Sequence, residues 1–117
     1  MEAMTIPERL PNAEQAYIPE GKVEKYLLCL EHAVGGAKAR FFGDLGYTRQ
    51  HADLLKQQLL LIAKEGNVHK QVVTEHGVKY VVDGQLVAPS GRQVAVRTVW
   101  IIGQGETAPR LVTVYPR

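Results

Sequence analysis

The hydrophobic period of this 117-residue chain changes once, at Gly66-Asn67. Before that point apolar residues recur at helical spacing, and after it they alternate or run in short blocks between turn residues. A chain ordered in this way cannot interleave its helices and strands as an α/β protein does. It should instead form an α+β fold, with its helices layered on one face of a sheet.

The helical half divides at its glycines. Val23, Tyr26, Leu27 and Leu30 lie at i, i+3, i+4 and i+7, predicting a first helix from Glu20 to about Leu30. Gly35-Gly36 turns the chain into a second helix from about Ala37, carrying Phe41, Phe42 and Leu45, with Gly46 as its C-terminal cap. Thr48 is placed to cap a third helix, Arg49 to Lys64, with Leu55, Leu59 and Ile62 as its inward line. About three helices are therefore expected.

Four strands follow: Val68 to Thr74, Val78 to Val82 with an extension toward Val87, Arg92 to Ile102, and Arg110 to Tyr115. Glu75-His76-Gly77 suits a tight hairpin, Gly84 suggests a bulge, and Pro89-Ser90-Gly91 suits a turn. Short connections favour an antiparallel meander. In the third strand Val94, Val96, Thr98, Trp100 and Ile102 share one side, and Ala95, Arg97, Val99 and Ile101 the other. Pairing Ile102 with Arg110 would set Arg97 opposite Tyr115 and Val99 opposite Thr113, gathering Arg97, Thr113 and Tyr115 on one face.

Residues 1–19, with Pro7, Pro11 and Pro19, read as an extended N-terminal arm, and 20–117 as a single domain. The length allows a core without disulfides or metals. With 45% hydrophobic and 22% charged residues the chain belongs with globular proteins. A formal charge of +2 permits nucleic-acid binding without implying it. Cys29 is the only cysteine, which excludes an internal disulfide, and its apolar neighbours make it a buried, unreactive thiol. No apolar run is long enough to span a membrane, so a cytoplasmic location is expected.

Candidate chemistry centres on His32-Ala33-Val34-Gly35-Gly36-Ala37-Lys38-Ala39-Arg40. Glycines before a helix let backbone N–H groups approach an anion, and Lys38 and Arg40 add cationic donors. The same glycines could equally serve only to shape the turn. His32 beside them could act as a general acid or base. The four histidines are too dispersed for a helical metal pair, so neither a metal nor another cofactor is expected. His76 reads as an exposed turn residue and Ser90, the only serine, as a turn former. Trp100 reads as core, whereas Arg97 in a sheet interior needs an anion or a path to solvent.

The segments Leu10-Pro11-Asn12-Ala13, Glu31 to Phe42 (EHAVGGAKARFF), Gly46-Tyr47-Thr48, Lys79-Tyr80-Val81-Val82, Arg97-Thr98-Val99-Trp100 and Arg110 to Pro116 (RLVTVYP) resemble a family of small bacterial proteins. Its members occur as stand-alone chains and at the C-terminus of toxin-like proteins. The order of elements, ending in a Thr-x-Tyr strand, is also similar to the barnase, EndoU, colicin E5 and RelE superfamily of metal-independent ribonucleases. That resemblance implies proton transfer by His32, phosphate stabilisation by Lys38, Arg40 and Arg97 together with the Gly35-Gly36 turn, and substrate positioning by Thr113 and Tyr115. RNA is then the implied partner. The alternative is a non-catalytic antitoxin, immunity or accessory module bound to a cognate protein, and a third possibility is an enzyme acting on a small anionic ligand at the Gly35-Gly36 turn.

Overall fold

The computed structural model describes residues 6–23 and 36–117. Helix α1 spans Gly36–Asp44 and α2 Ala52–Glu65, followed by β1 (Asn67–Thr74), β2 (Gly77–Val87), β3 (Gln93–Gly103) and β4 (Arg110–Pro116). The strands pair antiparallel in chain order, as the short connections require. Two α-helices are present among the described residues rather than three. The helix expected from Glu20 to Leu30, and Cys29 within it, fall mostly or wholly outside those residues.

Helix α1 ends where its sequence calls for a stop. Gly46 takes φ 95°, its N–H donates to the Gly43 carbonyl (2.9 Å), and the Tyr47 N–H reaches back to Phe42 (2.9 Å). This pair of bonds is a Schellman motif, which glycine forms without the steric cost a side chain would meet. Thr48 does cap the next segment, since its hydroxyl accepts from the Gln50 N–H at 3.3 Å. The segment opens, however, as a 3-10 turn over Arg49–His51 before α2 begins at Ala52. Buried Ala52, Leu55, Leu59, Ile62 and Ala63 then form one stripe along α2.

That stripe, Phe42 of α1 and Leu45 just after it pack against Tyr80, Val82, Leu86, Val96, Trp100, Leu111 and Val114 in one core. All these strand residues lie on a single face, so both helices cover the same side of the sheet. Trp100 is fully buried. Its indole N–H donates to Thr98 Oγ1 (2.7 Å), whose hydroxyl donates to the Val82 carbonyl (3.0 Å). The buried Thr98 hydroxyl and Trp100 N–H are thereby satisfied.

Gly84 does not mark a bulge. β2 pairs with β3 without interruption through Gly84↔Val96, and a Cβ at Gly84 would come within 2.6 Å of the Ile62 side chain. The glycine lets α2 lie close against the sheet. Register shifts occur elsewhere, between Val68 and Lys70 of β1 and between Val99 and Trp100 opposite β4.

The N-terminal stretch runs from the start of β1 to the start of β4, which lie at opposite ends of the sheet. The Glu8 carbonyl accepts from the Val68 N–H (3.0 Å), and Tyr17 forms a parallel bridge with Arg110, its N–H on Pro109 (2.9 Å) and its carbonyl on the Leu111 N–H (3.1 Å). Leu10 and Ala13 are buried in the core. Among the described residues no helix is long and apolar enough to cross a membrane.

Candidate functional site

The second face of the sheet carries the charge. Strand alternation and register place Lys70 of β1, Lys79 and Asp83 of β2, Arg97 of β3 and Arg110 of β4 there. Near its middle Val81 and Ile101 are buried, only 8% and 6% exposed, outside the helix-side core.

Asp83 organises one end of this face. Arg97 lies directly opposite it on β3 and donates Nε–H to Oδ1 at 2.9 Å, while Arg117 Nη1 stands 3.8 Å from Oδ2. His69 completes the group, with Nδ1 4.0 Å from Oδ2. Two guanidiniums thus share one carboxylate, which leaves a net positive charge at the cluster. Arg97 is 28% exposed and the Asp83 side chain 15%, so the pair is partly desolvated but still reachable from solvent.

The β1 register shift accounts for His69. Val68 pairs with Val82 and Lys70 with Val81, leaving His69 as the extra residue. A bulge of this kind re-aims one side chain, and here it brings the imidazole toward Asp83. Sequence reading passed over His69 because a bulge has no composition signal of its own, and the strand alternation it interrupts is already weak.

Tyr115 of β4 lies directly opposite Arg97, and Thr113 opposite Val99. The expected grouping of Arg97, Thr113 and Tyr115 on one face is therefore present. The pairing that produces it is Ile101 with Arg110, not Ile102, because the shift opposite Val112 absorbs one residue. Thr113 Oγ1 is buried with no hydrogen-bond partner among the described residues, a donor and acceptor that a ligand entering this face could satisfy.

The remaining candidates lie elsewhere. His32 and Gly35 are outside the described residues. Gly36 begins α1, and Lys38 and Arg40 belong to the same helix, which packs on the opposite face of the sheet through Phe42. His76 is exposed in the β1–β2 turn beside Glu75. No group of three or more His, Cys, Asp or Glu among the described residues could hold a metal ion. A groove of about 380 Å³ between α2 and β2, lined by Gln58, Leu61, Ile62, Glu65 and Val87, is on the helix side and contains no cation.

At the other end of the charged face, Lys79 and Arg110 flank Ile101. Lys22 lies near Arg110, and burial first, then the guanidinium, hold its ammonium below the ordinary lysine range.

A protein-family model described as a domain of unknown function, DUF6883, matches residues 9–117. No curated protein matches the chain. A chain of the solved contact-dependent growth inhibition toxin–immunity protein complex from Klebsiella pneumoniae 342 has the same fold. Its TM-score is 0.68 at 14% identity, over 90% of this chain and 96% of that one.

Proposed function

This chain belongs to the DUF6883 family of domains of unknown function, and we propose that it is a toxin-related, metal-independent endoribonuclease-like domain whose site is the sheet face around Asp83. The reading rests on one observation. His69, Arg97 and Arg117 converge on Asp83, with Tyr115 across from Arg97.

A proton-transfer group beside fixed cations is what phosphodiester cleavage without a metal requires. His69 takes the proton from a ribose 2′-hydroxyl, the 2′-oxygen attacks phosphorus, and the 5′-oxygen departs with a proton, leaving a 2′,3′-cyclic phosphate. Arg97 and Arg117 stabilise the charge that builds on the phosphoryl oxygens. Asp83 holds Arg97 in place, so the guanidinium does not reorganise as charge develops. Tyr115 and Thr113 position the phosphate. In this proposal His32 supplies the second proton transfer, whereas Lys38 and Arg40 belong to α1 on the helix side of the sheet and take no part at the Asp83 face.

A second reading is an immunity-type or accessory module that binds a cognate protein. It is favoured by Val72 and Val73, exposed to 37% and 64% on the edge strand β1, because an apolar sheet edge invites an added strand. Incubation with total RNA in EDTA, followed by end-group analysis, separates the two. Fragments ending in 2′,3′-cyclic phosphate support the nuclease. Intact RNA together with a stoichiometric protein complex sensitive to Val73→Lys supports the module.

A further inference from the structure

We propose that Arg9 is a positioning residue for His69: together with Glu8 it clamps the start of β1 and so fixes the bulge that turns the imidazole toward Asp83. The proposal rests on the ribonuclease-like reading above and makes the N-terminal stretch part of that site.

The contacts close a ring. The Glu8 carbonyl accepts from the Val68 N–H at 3.0 Å. Arg9 Nη1 donates to Asn67 Oδ1, and the same nitrogen stands 3.5 Å from the Glu8 carbonyl. Two consecutive residues of the N-terminal stretch therefore hold the two residues that immediately precede His69. The hold is anchored, because Leu10 and Ala13, just beyond Arg9, are buried in the core, and Asn12 Nδ2 donates to the Thr107 carbonyl at 3.1 Å.

The start of β1 needs such a hold. β1 is the outermost strand of the sheet, and the part before its bulge is two residues long, Asn67 opposite Asp83 and Val68 opposite Val82. If those residues slipped by one and absorbed the bulge, Val68 would come opposite Asp83 and His69 opposite Val82. A slip of one residue sends each side chain to the other face of the sheet. The imidazole would then leave Asp83, Arg97 and Arg117 for the helix side. Val68 opposes the slip by packing against the core, and Glu8 and Arg9 oppose it by hydrogen bonds to the very residues that would move. Arg9 and Asn67 are both exposed, so substituting either leaves no buried charge behind and the fold is kept.

The test is steady-state cleavage of a fluorogenic, mixed-sequence oligoribonucleotide by the full chain in EDTA. Misplacing a catalytic group slightly costs up to about 10²-fold, so Arg9→Ala should lower kcat about 10-fold. KM and the thermal unfolding midpoint should stay near the wild-type values. Arg9→Lys, which keeps a donor for Asn67, should restore most of the rate, and Asn67→Ala should match Arg9→Ala. In a His69→Ala background Arg9→Ala should have no further effect, since it acts only through the imidazole. A second readout needs no substrate. The ring-nitrogen NMR signals of His69 should move on Asp83→Asn in the wild-type background and stay in place once Arg9 is replaced by Ala. The clamp is overturned if Arg9→Ala raises KM at unchanged kcat, as loss of a direct substrate contact would, or if its effect multiplies with that of His69→Ala. It is equally overturned if the His69 ring still responds to Asp83→Asn in the Arg9→Ala protein. RNA left intact by the wild type, with His69 uncoupled from Asp83 in Arg9→Ala, would overturn the nuclease reading and support the clamp.

Discussion

Arg97 donates its Nε hydrogen to Asp83 Oδ1 at 2.9 Å across the β2–β3 pair, at the point where the two residues are direct neighbours in register. The bond answers why an arginine stands in a sheet interior: its counter-charge comes from the next strand. Asp83→Ala removes the carboxylate shared by Arg97 and Arg117 and leaves the Arg97 guanidinium, 28% exposed, without its partner. The expected loss of stability is about 1–3 kcal/mol, between the values typical of exposed and of buried pairs. Arg97→Ala in the Asp83→Ala background should cost less than Arg97→Ala alone, and denaturant unfolding of the four proteins of this cycle measures the difference.

Gly84 and Ile62 make a second, separate pair. Gly84→Ala forces a methyl to within 2.6 Å of the Ile62 side chain, and overpacking of this kind costs about 1–3 kcal/mol. Trimming the neighbour should relieve part of it. Ile62→Val combined with Gly84→Ala is therefore expected to unfold at a denaturant concentration above that predicted from the two single variants added together. Strict additivity would mean that Gly84 is needed for some reason other than the approach of α2.

Tyr47 ties α2 to the end of β2. Its hydroxyl donates to Gln58 Oε1 and lies 3.1 Å from the Val87 carbonyl. Burial raises its pKa above the ordinary 10.0, against an opposing contribution from Gln58. A raised folded pKa means that the unfolded chain loses this proton first, so the associated stability is present below about pH 10 and is lost as pH rises through the folded value. Tyr47→Phe should cost about 1 kcal/mol at neutral pH through the lost hydrogen bonding. The gap between wild type and variant should narrow in alkaline unfolding curves, and a gap independent of pH would contradict the assignment.

The meander and the helix-side core could be read from sequence because they depend on local pattern. The change of period at Gly66, the turn residues and the alternation through Val94 to Ile102 all lie within a few residues of the features they predict. Setting Arg97 opposite Tyr115 was also within reach, since one short connection separates β3 from β4. What escaped depends on two elements at once. Gly84 looks like a strand irregularity until α2 is laid on it, when Ile62 explains it. Asp83 becomes the partner of Arg97 only when the β2–β3 register is known. His69 enters the site through a bulge that leaves no trace in composition, so attention fell on His32, whose glycine-rich surroundings are conspicuous in sequence and lie outside the described residues.

The account stands or falls on whether His69 and Arg97 perform chemistry. The most direct measurement is the rate of RNA cleavage in EDTA by the wild type, His69→Ala and Arg97→Ala, each checked for its thermal unfolding midpoint. The account predicts EDTA-resistant cleavage by the wild type and a fall of about 10²–10⁴-fold for His69→Ala, the range expected for loss of an acid–base group, with an unfolding midpoint close to that of the wild type. Cleavage that persists at the wild-type rate in a folded His69→Ala protein, or RNA left intact by the wild type, would contradict it.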